Sequence, residues 1–279
     1  LDESTLTSDS QNSASKKIAM RNLKLIVSYD GSEFYGWQVQ PDLVTVQGTL
    51  ALAIGRITGE KVLPQGSGRT DAGVHALAQV VTFVTESSVP SANFLRALND
   101  ILPASVRVME VTEMPAEFHA RHSALAKTYH YRIYRGSICP PFLARYVWHY
   151  PYSLDEDAMN LSAELVVGEH DFTSFAAVDP ERDRESPGHE PQNEERKPAS
   201  NVRTIFSSAW QRSGDEFIYT VRGSGFLHHM VRNLVGTFIL VGKATLQTED
   251  VTRILEARNR SAAGPTAPAG GLYLVEVEY

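Results

Sequence analysis

The sequence predicts an α+β protein: two ferredoxin-like α/β halves with joined antiparallel sheets and a central cleft between them. Three observations carry this expectation. Residues 20–117 read in the order β-α-β-β-α-β, and residues 118–279 repeat that theme loosely. The composition, 42% apolar and 21% charged over 279 residues, is that of a globular chain able to bury a core of one large or two ordinary domains.

Residues 1–19 are rich in Ser, Asp and Asn and predict a disordered tail. From Asn22 the run LKLIVSYDG alternates as a strand and ends in a turn at Asp30 and Gly31. Residues 46–57 (VQGTLALAIGRI) repeat apolar side chains at helical spacing, and a short strand from Val62 leads into a Gly-rich loop. The stretch 76–84 reads as a strand, Pro90 opens the helix NFLRALNDIL, and 106–111 (VRVMEV) closes the half as a strand. In the second half KTYHYRIY (127–134) is a strand, and Ser153 with Glu156 matches a capping box for a helix running to Val167. Residues 179–200 hold four prolines and almost no apolar side chains, which predicts a mobile insertion. Strands follow at 202–211 and 216–222, then helices at 226–241 and 249–258, and a last strand at 272–279.

The longest apolar run, 234–241, is far too short to span a membrane. The first residues resemble neither a secretory signal nor a basic transit peptide, and a single cysteine, Cys139, gives no disulfide framework. A cytoplasmic setting is the expectation. The net charge of −7 argues against nucleic acid as a bulk figure, but the charge is segregated. No Asp or Glu occurs from 118 to 154, where Arg121, Lys127, Arg132, Arg135 and Arg145 interleave with seven Tyr and Trp side chains. A second acid-free stretch, 217–248, holds Arg222, Arg232, Lys243 and the pair His228 and His229. Cations meet phosphates and flat rings stack on exposed bases, so such stretches suit RNA. An edge strand with a solvated basic face explains the first of them equally well.

The loop GSGRTDAGVHA (66–76) fails the dinucleotide fingerprint, which needs glycine where Asp71 stands, and lacks the Gly-Lys-Ser/Thr of a P-loop. A carboxylate there would repel phosphate. Two readings stay open on spacing alone: a turn cap, or a reactive carboxylate that glycines leave open to a bulky ligand. Asp30 and Glu33 could complete a two-carboxylate glycosidase site with Asp71, although the Asp-Gly turn already accounts for Asp30. His228 and His229 look metal-binding. As adjacent helical residues, however, they would point about 100° apart, and no third ligand has suitable spacing. No metal site is expected, and Ser224 with His228 lacks a nucleophile elbow.

Taken in order, YDGSEFYGWQVQP, GSGRTDAGVHALAQVVTF, EFHARHSALAKTYHYRIY, GEHDFTSF, GFLHHMVRNLVG and GLYLVEVEY resemble the TruA-type tRNA pseudouridine synthases, the bacterial tRNA pseudouridine synthase A family. The resemblance covers 23–279 apart from the insertion. It implies the pseudouridine synthase fold and isomerisation of uridine to pseudouridine on the 3′ side of the tRNA anticodon stem-loop, by base flipping and without a cofactor. It further implies that Asp71 is the catalytic carboxylate, that Arg232 pairs with it, and that Tyr129 packs on the target uracil. Leu272 would close the other face of the base pocket, and Arg69 would fill the vacated space in the stem or bind its backbone. A homodimer in which one tRNA touches both subunits is part of the same expectation.

Overall fold

The computed structural model describes residues 20–178 and 200–279. The tail expected at 1–19 and, apart from Ser200, the insertion expected at 179–200 lie outside the described residues. The first half runs β1 (Arg21–Tyr29), α1 (Val46–Thr58), β2 (Gln65–Gly66), β3 (His75–Thr85), α2 (Ser91–Ile101) and β4 (Val106–Met114). The second runs β5 (Ala126–Tyr134), β6 (Trp148–His149), α3 (Glu156–Glu164), β7 (Gly168–Asp171), β8 (Val202–Ser213) and β9 (Glu216–Gly223). It closes with α4 (Met230–Gly242), α5 (Asp250–Ala257) and β10 (Leu272–Glu278). Among the described residues no helix is long and apolar enough to cross a membrane.

One sheet threads the molecule in the order β4-β1-β3-β10-β5-β9-β8-β7. With β2 beside β3, the first half reads β4-β1-β3-β2, and the second reads β10-β5-β9-β8, so each follows the ferredoxin-like pattern. The seam is a short parallel pairing, Tyr273 with His75 and Leu274 with Ala76. On the same edge of β3, β2 occupies the far end through Gln65 with Thr82 and Gly66 with Val81. Because β2 is only two residues long, the near end of β3 is left for β10. The chain's last strand thereby carries the second half against the first.

The alternation in β1 buries Leu23, Leu25, Val27 and Tyr29 on the core side. Thr45 caps α1 by accepting from the Gly48 N–H, and Gly59 ends it at φ 76°. In the second half Tyr131, Ile133, Tyr219, Phe238, Leu234 and Val221 form one buried cluster with the first half's core. The helix α4 is buried along nearly its whole length. Its Gly236 is required there, since a Cβ would lie 1.7 Å from the carbonyl oxygen of Pro265.

Three expectations are corrected. The capping box at Ser153 is out of register: α3 begins at Glu156, and Asp155 caps it by accepting from the Ala158 N–H at 2.9 Å. The helix expected from Phe226 starts four residues later, because His229 takes a left-handed φ of 59° that an α-helix cannot propagate. The strand β5 is not an edge. It lies between β10 and β9, with Tyr129, Tyr131 and Ile133 buried.

Candidate active site

The loop carrying Asp71 leaves β2 at Gly66 and returns as β3 at His75. Contacts along its whole length pin it. Ser67 Oγ donates to Gln79 Oε1 at 2.7 Å, Gln79 Nε2 donates to the Gly68 carbonyl at 2.9 Å, and Lys127 Nζ donates to the Ser67 carbonyl at 2.5 Å. Thr70 Oγ1 and the Tyr29 hydroxyl share a buried hydrogen bond of 2.8 Å. The Trp37 N–H donates to the Thr70 carbonyl, and the Gly73 N–H to that of Phe34. This explains the motif YDGSEFYGWQ, whose segment forms the bed of the loop. A Cβ on Gly31 would lie 2.0 Å from the Val74 carbonyl oxygen, and one on Gly36 would lie 2.8 Å from that of Thr70. Asp71 itself turns the chain, its carbonyl accepting from the Val74 N–H, with Gly73 at φ 78°.

His75 locks the end of this loop. The Gly31 N–H donates to Nδ1 at 3.1 Å, so Nε2 carries the ring proton and faces the Arg145 carbonyl at 3.2 Å. Its ring stacks on Tyr273 at 4.8 Å, and burial holds its pKa below the usual value. Asp30, the proposed second carboxylate of a glycosidase, is committed to structure. It accepts from the Ser32 N–H at 2.9 Å and from the Tyr146 hydroxyl at 2.8 Å.

From the other half, Arg232 in the first turn of α4 reaches across to the loop. Its Nη1 donates to Asp71 Oδ2 at 2.7 Å while Nε donates to the Ala267 carbonyl at 2.8 Å, so the guanidinium is held from two sides. Both side chains are largely covered, at 14% and 19% exposure. His228 Nε2 lies 3.6 Å from Asp71 Oδ1 and His229 Nε2 lies 3.4 Å from Oδ2. The premise that these histidines diverge by 100° is therefore overturned. They sit in the turn before α4, and the left-handed residue swings both rings toward one carboxylate. A third ligand-type group does exist, and it is Asp71, brought in from the distant loop.

Tyr129 is buried on β5, edge-on to Phe226 with centroids 5.0 Å apart. Burial pushes its phenol well above the usual pKa, and the neighbouring Tyr29 and Asp71 add to that shift. Leu272 opens β10 opposite Tyr131, two residues before Leu274, which pairs with Tyr129. Three residues before Leu272, the Ala269 Cβ lies 3.3 Å from where a Cβ on Gly73 would be. Arg69 stands two residues before Asp71, partly exposed.

The basic stretch is not the uniform phosphate surface that its composition suggests. Arg132 forms a double hydrogen bond with Glu216, Arg222 does the same with Glu278, and Arg135 pairs with Glu156. The acids come from outside the acid-free stretches, which linear charge counting does not register. A compact cationic group flanks the loop instead. Lys127 is brought down to about 8 by burial first, then by the nearby charges of Arg121 and Arg203. Arg203, on β8, lies outside both stretches, and no spacing signal marks it.

A family model described as tRNA pseudouridine synthase matches residues 25–123 and 162–279. The chain is 48% identical over 260 residues to tRNA pseudouridine synthase A of Solibacter usitatus, covering 93% of this chain and 100% of that protein. It is 42% identical to the protein of the same name from Brevibacillus brevis and 40% identical to that from Caldicellulosiruptor bescii, each over 260 residues with the same coverage. With both halves and the loop of Asp71 inside these matches, the chain belongs to the tRNA pseudouridine synthase family.

Proposed function

We propose that this chain isomerises uridine to pseudouridine in the anticodon arm of tRNA, with Asp71 as the reacting carboxylate. The observation that carries the reading is the 2.7 Å hydrogen bond between Arg232 and Asp71, which joins the two halves at one carboxylate in a rigid loop. In the reaction the bond from ribose to N1 breaks, a bond from ribose to C5 forms, and one proton moves from C5 to N1. Substrate and product are isomers, so the conversion requires no oxidant and no phosphoryl donor. Asp71 either adds to the ribose anomeric carbon or takes the neighbouring 2′ proton. Both roles require a carboxylate oxygen that stays in place while the uracil turns, which the pinned loop supports.

Flipping a paired uridine costs a few kcal/mol of stacking and pairing. Tyr129 offsets part of that by offering its ring to the extruded base, with Leu272 on the other side. Arg69 enters the vacated space or holds the stem backbone, and the group of Lys127, Arg121 and Arg203 meets phosphates nearby. Two copies pair around one tRNA in a cytoplasmic setting, a reading supported by the resemblance to the family.

The test is Asp71→Asn in the full chain, incubated with tRNA and followed by chemical mapping of pseudouridine. Product formation should fall by about 10³-fold or more while tRNA affinity changes little. Product at the wild-type rate would remove Asp71 from the chemistry.

A further inference from the structure

The Asp71 carboxylate and the two histidines beside it have a geometry that the uridine reaction does not explain. One ligand-type atom from each of Asp71, His228 and His229 lies within 4.8 Å of the others. The separations from the carboxylate, 3.6 and 3.4 Å, are too long for good hydrogen bonds, which fall at about 2.7–3.2 Å. The 3.6 Å between His228 Nε2 and Oδ1 is close to the spacing of neighbouring donors on one tetrahedral ion, which sit about 3.4 Å apart when each bond is about 2.1 Å long.

The orientation of His228 fits the same ion. Its Nδ1 lies 3.1 Å from the Val178 carbonyl oxygen, an atom that can only accept, so Nδ1 carries the ring proton. Nε2 is then the nitrogen turned to Asp71. A histidine held through its other nitrogen by a backbone carbonyl is the usual support of a metal ligand. His229 is turned to the same side by its left-handed backbone, with the two rings 4.0 Å apart. Arg232 is bound to Oδ2, which leaves Oδ1 for an ion and lets the carboxylate bridge the two cations.

We propose that Asp71, His228 and His229 bind a divalent transition-metal ion of the zinc class, and that this ion inhibits the enzyme by occupying the carboxylate the substrate needs. Two imidazoles and one carboxylate select zinc-like ions over magnesium or calcium, which prefer all-oxygen sets. The inhibition clause rests on the function proposed above; the binding clause does not.

The experiment uses Co²⁺ as a spectroscopic probe on the full chain. Titration should give a saturable visible absorption of the tetrahedral type at one equivalent, displaced by Zn²⁺ and unaffected by excess Mg²⁺. Exchanging His228→Ala, or His229→Asn, which tolerates the left-handed backbone, should weaken Co²⁺ binding by at least about 10-fold. The double variant should lose the band, with circular dichroism confirming that it remains folded. No saturable band, or a band that survives in the folded double variant, overturns the site. Pseudouridine formation should be inhibited by Zn²⁺ and restored by chelator. Wild-type turnover with the site saturated would overturn the inhibition clause while leaving binding intact, and inactivity without metal would count against the function instead.

Discussion

Two segments meet at Asp71, and they are held in different ways. Residues 66–75 of the first half are fixed by a series of backbone and side-chain hydrogen bonds and by glycines that let neighbouring chain approach closely. Residues 226–232 of the second half contribute through side chains: one guanidinium from the first turn of α4 and two imidazoles from the turn before it converge. The first arrangement sets position and spreads its cost over many contacts. The second sets the electrostatics through single groups. Substitutions should therefore separate stability from activity according to which segment they touch.

After Asp71 itself, the largest effect should come from Arg232. Replacing it by Met removes the partner of Asp71 and leaves the Ala267 carbonyl without its donor. We expect kcat/KM to fall by about 10²–10³-fold. Arg232→Lys should not restore it, because an ammonium lacks the fork that spans both acceptors. Steady-state kinetics on tRNA decides this, and a lysine variant of wild-type activity would reduce Arg232 to a point charge. Next is Gly31→Ala in the bed of the loop. Its Cβ would meet the Val74 carbonyl at 2.0 Å, so the loop must shift at a cost of about 1–3 kcal/mol in urea unfolding, with activity falling as Asp71 moves. Unchanged stability would show that the loop is less constrained than its contacts imply.

A smaller effect separates two capping assignments. Asp155→Ala should cost about 1 kcal/mol, whereas Ser153→Ala should lie within about 0.5 kcal/mol of wild type. Equal costs would bring the capping box back. The smallest concerns acid. His75 is held below its ordinary value of 6.5 by burial, so the unfolded chain binds its proton first as pH falls. Stability contributed at neutral pH is lost as pH drops below 6.5 and levels off below the folded-state pKa. Thermal unfolding from pH 7.5 to about 5.5 should show a fall in Tm that His75→Gln reduces.

Much of the architecture could be read from the linear chain. The alternation of β1 and of KTYHYRIY, and the helical spacing of residues 46–57, are local patterns that burial on one face enforces, and each became the expected element. Helix starts were less legible. Whether Ser153 or Asp155 caps α3, and whether α4 begins at Phe226 or Met230, depends on backbone angles that apolar periodicity does not encode. The linear charge pattern misled for the same reason. Arg132, Arg135 and Arg222 stand in acid-free stretches, yet each meets a glutamate from elsewhere in the chain.

At the candidate site, the sequence by itself determined that Asp71 stands in a loop unable to hold phosphate, and its motif order pointed to Arg232 and Tyr129. The tertiary structure decided what surrounds that carboxylate. A short β2 leaves room for β10 to join the halves, and a left-handed residue at His229 turns two imidazoles toward a group more than 150 positions away. Sequence records which groups are present. Their convergence follows from chain reversals and strand pairings between distant residues, and those are settled only when the whole core packs.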